Sequence, residues 1–111
     1  PPKVIVPKFV LIAEEMPSFK GGDEALLRYL GSKTKYTRYA REIGAEGTVY
    51  IQFIVEKDGS ITNVTVAKGV ESGLDKNALQ TVKNMKKWNP GRQLEQPVRV
   101  KFILPFKYQL R

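Results

Sequence analysis

Neither cysteine nor histidine occurs among the 111 residues. Their absence removes disulfides, thiol nucleophiles, the commonest general base and the usual zinc ligands. No apolar run approaches the ~20 residues that a helix needs to cross a bilayer. Acidic residues are scarce as well: 11 Asp and Glu stand against 19 Lys and Arg, a net charge of +8. A chain this basic favours acidic partners or surfaces, but long-range attraction does not select their chemistry. What is present is a hydrophobic fraction of 41%. At this length it suits one domain that buries ~65% of the surface its unfolded chain exposes.

Prolines Pro1, Pro2 and Pro7 make the start read as the end of a proline-rich linker, and hence the chain as part of something longer. Residues 4–12 are β-branched or aromatic enough to extend, with Pro7 confining any strand there to a sheet edge. The expected division is a linker end or extended arm over 1–13 and a single domain over 14–111. After Gly21 and Gly22, Asp23 is a plausible N-cap for a short helix over residues 23–30. Tyr36, Tyr39, Ala40 and Ile43 follow the spacing of one helical face, which predicts a second short helix capped by Thr37 and ended at Gly44 and Gly47.

The period then changes to two. Val49, Ile51, Phe53 and Val55 share one face of a strand, with Thr48, Gln52 and Glu56 on the other. Asp58-Gly59 predicts a two-residue hairpin turn with positive φ at both positions. That loop pairs Phe53 with Val64, Ile51 with Val66 and Gln52 with Thr65. Ser72 and Asp75 resemble a capping box, and Leu74, Ala78, Val82 and Met85 form the apolar stripe of a helix that covers the hairpin. Trp88 closes one end of the core. Asn89-Pro90-Gly91 stops the helix.

Residues 97–108 read as one long strand. Val98, Val100, Phe102, Leu104 and Phe106 alternate with Arg99, Lys101 and Lys107. Pro105 inside it argues for an edge position, where a missing donor breaks no ladder bond. The order strand, strand, helix, strand then predicts an α+β fold. Its three-stranded antiparallel sheet has the order second, first, third, with one main helix on one face, preceded by short helices and the extended arm. An open edge adds strands, so the backbone of Val98, Arg99, Val100, Lys101, Phe102, Ile103, Leu104, Pro105 and Phe106 is the candidate partner-binding element.

Several motifs resemble the C-terminal domain of TonB-family energy transducers of Gram-negative bacteria. Tyr36-Thr37-Arg38-Tyr39-Ala40 with Gly44-Ala45-Glu46-Gly47 looks like the family's Tyr-Pro-x-x-Ala and Gly-Ile-x-Gly. Residues 49–55 with Asp58-Gly59 are similar to its first hairpin. Trp88-Asn89-Pro90-Gly91 resembles its Trp-x-Pro-Gly turn, the most specific element. Glu14-Glu15-Met16-Pro17-Ser18-Phe19 with Gly21-Gly22 resembles the upstream extension of one branch. Thr37 replaces a usual proline, Ala45 a usual Ile, and Lys20 a proline frequent in that branch.

The resemblance implies a periplasmic domain, anchored to the inner membrane in the full-length protein. It would capture the TonB-box peptide of outer-membrane TonB-dependent transporters, at their plug, by strand addition, with Tyr36 close to the receptor. Force would come from the ion-driven ExbB/ExbD complex through a membrane segment that this chain lacks. No catalytic, cofactor or metal residue is assigned, and no enzyme activity is expected. The alternatives are a nucleic-acid-binding module, using Tyr50 or Ile54 as a stacking platform, and a regulatory or sensor module of similar fold. No RNP or KH motif supports the former, so nucleic acid is not expected as a partner. Pairing of sheet edges between two copies, giving a homodimer, stays open. Lys76, Lys83, Lys86 and Lys87 read as the solvated face of the main helix.

Overall fold

The computed structural model describes residues 11–110. The expected extended segment over 4–12 therefore falls almost wholly outside the described residues. The strand with the strictest alternation, β1 (Gly47–Val55), is central, flanked by β2 (Ile61–Lys68) and by the last strand of the chain (Val100–Tyr108). Both neighbours are antiparallel to it. The α+β class and the second, first, third order are those read from the sequence. Helix α1 spans Gly22–Lys33, α2 Arg38–Glu42 and α3 Ser72–Lys83. Between α3 and the last strand lies a hairpin of β3 (Gly91–Gln93) and β4 (Gln96–Val98), so the last strand is β5.

The inner face of the sheet pairs apolar with apolar: Val49 with Phe106, Ile51 with Leu104, Phe53 with Phe102 and Val55 with Val100. Leu74, Ala78 and Val82 of α3, with Met85 just beyond its end, cover this face. Trp88 is 1% exposed and meets Phe19, Phe53 and Phe102 at ring-centroid distances of 5.7, 5.4 and 5.2 Å. It is the core anchor that its position after the helix stripe predicts.

The β1–β2 turn differs from expectation. The Gly59 N–H donates to the Glu56 carbonyl and the Glu56 N–H to the Ser60 carbonyl, both at 2.8 Å. Three residues, not two, therefore close the loop, and only Gly59 takes positive φ (88°). This shifts the pairing by one near the turn, where Val55 faces Ile61 and Ile54 faces Thr62. A bulge at Asn63 (φ 53°) shifts it back, so Gln52 faces Thr65 and Ile51 faces Val66 as expected, while Phe53 has no single partner opposite it. The two-residue turn with two positive φ angles occurs instead at Leu94 and Glu95 (50° and 64°), which join β3 to β4.

Helix boundaries move for local reasons. Helix α1 starts after Gly21 with no side-chain cap, which leaves Asp23 in the first turn, where a carboxylate suits the helix dipole. In α3 the cap is Glu71, whose carboxylate accepts the Leu74 N–H at 3.0 Å, while Asp75 reaches back to the Val70 N–H at 2.8 Å. In α2, Thr37 caps as expected, accepting the Ala40 N–H at 3.1 Å. Tyr36 then precedes the helix, Tyr39 and Ile43 face solvent, and only Ala40 is buried, so the proposed apolar stripe does not form.

Candidate peptide-binding edge

Strand β5 pairs with β1 through nine residues without interruption, from Val55↔Val100 to Gly47↔Tyr108. Among the described residues no strand lies on its other side. Pro105 sits opposite Tyr50. Proline has no N–H, so this is a pair without ladder bonds, and residues of the same parity turn their backbone groups away from β1. Ile103 and Lys107 thus present N–H and C=O outward, and Pro105 presents C=O. Among the described residues β5 thus holds the edge position that Pro105 predicts.

The expected strand over 97–108 is interrupted. Val98 belongs to β4, where it pairs with Gly91, and Arg99 falls between the strands. The Arg99 guanidinium grips Glu56 with two nitrogens, at 2.6 and 3.0 Å. The Thr62 hydroxyl donates to the same carboxylate. The Arg99 bond, opposed by burial and aided by Thr62, holds the Glu56 carboxyl below its usual range. Arg99 is thus engaged where β1 ends and β5 begins.

The remaining candidates divide by parity. Val100, Leu104 and Phe106 are buried in the core, and Phe102 is half-buried against Phe53 and Trp88. Only their strand conformation serves a partner. Ile103 is 49% exposed, Pro105 is exposed and Lys101 half-buried.

Tyr36 lies near the far end of the strand, its ring edge-on to Tyr108 at 5.7 Å and its hydroxyl donating to the Ala45 carbonyl at 2.7 Å. Burial, with Glu46 adding to it, pushes its hydroxyl pKa up. Tyr108 is held at 2.7 Å from Asn77 Oδ1 and 3.2 Å from the Leu74 carbonyl; burial raises its pKa to about 12.

A shallow cleft of about 470 Å³ adjoins the edge, lined by Leu11, Met16, Lys101, Phe102 and Ile103. Leu11 and Met16 are not among the residues singled out from the sequence. They reach the edge because the segment over 14–18 is pinned elsewhere. Glu15 and Arg92 exchange backbone hydrogen bonds at 3.0 and 2.8 Å, as do Ser18 and Asn89 at 3.1 and 2.8 Å.

On the outer face of the sheet, Tyr50 is 37% exposed, but Ile54 is only 6% exposed between Thr62 and Lys101. The stacking platform expected of a nucleic-acid-binding sheet is therefore incomplete.

Together these features define a small α+β domain in which β5 is an outer strand of the sheet among the described residues. The family model described as Gram-negative bacterial TonB protein C-terminal matches residues 32–110. The chain belongs to that family, and is thus a TonB-type periplasmic domain. Two NMR solution structures of the Helicobacter pylori TonB-CTD are similar. One has a TM-score of 0.56 at 26% identity, covering 78% of this chain and 90% of that one. The other has a TM-score of 0.50 at 23% identity, covering 78% and 79%. No curated protein matches the chain.

Proposed function

We propose that this domain captures the TonB-box peptide of an outer-membrane TonB-dependent transporter as an added strand along β5, and passes to it force generated at the inner membrane by ExbB/ExbD. The observation that carries this reading is the outward-facing backbone of Ile103, Pro105 and Lys107 on a strand whose other edge is fully paired. Backbone groups give such an addition its affinity, and side-chain clefts beside the edge give it selectivity. The cleft between Leu11, Met16 and Ile103 suits an apolar side chain of the incoming strand. A peptide held by the β5 edge is coupled to the core through the nine-residue ladder to β1.

The test is titration of the isotope-labelled chain with N-terminal transporter peptides, followed by backbone amide shifts. Shifts should concentrate over residues 101–107. Ile103→Pro removes an outward N–H at the parity where Pro105 is already tolerated, so it should abolish binding while leaving the urea midpoint nearly unchanged. Saturation that perturbs only the lysine-rich side of α3 would refute strand addition.

A further inference from the structure

A second cleft, about 640 Å³, opens between α1 and α3 and shares no residue with the β5 edge. Its volume lies in the range of ligand sites. Phe19 and Tyr29 supply its apolar surface, their rings 5.6 Å apart. Gln80 and Asn84 add exposed amides, while Thr81 is buried and accepts the Tyr29 hydroxyl on its carbonyl at 2.8 Å. Four ammonium groups surround this surface: Lys20 before α1, Lys33 at the end of α1, and Lys86 and Lys87 beyond the end of α3.

None of the 11 carboxylates of the chain lines the cleft. Lys87 has an acidic neighbour, Asp58, but at 3.8 Å with both side chains 62% exposed, so solvent screens the pair. The lysines of an ordinary solvated helix face would lie on one element. Here Lys76 and Lys83 of α3 do not line the cleft, and its four lysines converge from separate segments. Like charges gathered over a low-dielectric wall focus a positive field there.

We infer that this cleft is a docking site for an acidic, extended peptide segment of a partner protein, one that places an aromatic side chain against Phe19 and Tyr29 and carboxylates toward the four lysines. A compact anion such as phosphate fits less well, because no arginine fork lines the cleft and its cations are separate point charges. Carboxylates spaced along a chain match that distribution. The aromatic side chain gains edge or stacked contact with rings already ordered by the core.

The test uses a synthetic peptide of roughly eight Asp and Glu residues with one central Phe, about 30 Å long when extended. Amide shifts should cluster at Gln80, Asn84 and Lys86, and affinity should fall about tenfold as salt rises from about 50 to about 500 mM. The double variant Lys33→Glu, Lys86→Glu alters exposed side chains only. It should keep the urea midpoint and lose at least about tenfold in affinity. Ile103→Pro should bind this peptide normally, which separates the site from strand addition. Shifts of equal size at Lys76 and Lys107, outside the cleft, would overturn the proposal. So would stronger binding at the same residues by a single-stranded oligonucleotide of equal charge.

Discussion

Replacing Gly59 by alanine tests how the β1–β2 turn is locked to the core. A Cβ built at Gly59 falls 2.0 Å from the Trp88 carbonyl oxygen, which is backbone and cannot rotate aside. The Gly59 carbonyl also accepts the Trp88 N–H at 2.8 Å. Relieving the overlap must therefore part the two segments. The left-handed φ costs alanine about 1–2 kcal/mol, the lost bond about 1 kcal/mol, and the overpacking about 1–3 kcal/mol. The sum, about 3–6 kcal/mol, is a large part of the about 5–15 kcal/mol that stabilises a domain of this size.

Trp88 is the sole tryptophan, so its emission reports urea unfolding directly. With a slope of roughly 1.5 kcal/mol/M the midpoint should fall by about 2–4 M. Gly44→Ala is the control: φ is +68°, but nothing lies within 4 Å of the added Cβ, so only the backbone term of about 1–2 kcal/mol remains. If the two variants differ by less than about 1 kcal/mol, the lock at Trp88 is not real.

Other expectations concern titrating groups. Glu56 has a depressed pKa in the folded state, so its contribution to stability is present above the ordinary carboxylate value of 4.5 and is lost as pH falls through the folded value. Urea midpoints measured from pH 7 down to 3 should fall more steeply for the natural chain than for Glu56→Gln. Tyr108 is raised to about 12, so its contribution is complete below the ordinary value of 10 and disappears as pH climbs toward 12. Tyr108→Phe should weaken folding by about 1 kcal/mol at neutral pH and flatten the alkaline loss between those values. An unchanged alkaline slope would mean that the hydroxyl is not held as described.

The parts of the fold legible in the sequence are those where one strong pattern acts alone. The alternation through Val49, Ile51, Phe53 and Val55 and the stripe through Leu74, Ala78 and Val82 each specify an element and its buried face. Pro105 marks the edge because a missing donor inside a long, unbulged strand is tolerated only where that N–H would face away from the neighbouring strand.

Asp58-Gly59 is compatible with two loop lengths, and the longer loop leaves the Ile51 and Gln52 pairs as expected only because Asn63 bulges, before a second shift sets Tyr50 opposite Lys68. Leu94 and Glu95 carry no turn signal, since their residue types avoid positive φ. They are held there from a distance: the Glu14 carboxylate accepts the Leu94 N–H at 2.7 Å, and Arg92 donates to the Glu95 carbonyl. The strand of the candidate site was visible in the same way, but its cleft was not. Leu11 and Met16 approach Ile103 only after 14–18 docks on residues some 70–80 positions later.

That docking has a mechanical side. Under the proposed force path, tension entering from the N-terminal side reaches residues 14–18 before α1, a helix with no fully buried residue. Two bond pairs, Glu15 with Arg92 and Ser18 with Asn89, act as a clasp upstream of the helix. While it holds, tension bypasses α1 and enters the body of the domain near Trp88. Once it opens, the four residues over 15–18 can slacken, at most about 13 Å of extended chain, up to Phe19, whose ring still packs against Trp88. A tether that lengthens in one such step would soften a sudden pull before it reached the β1–β5 ladder.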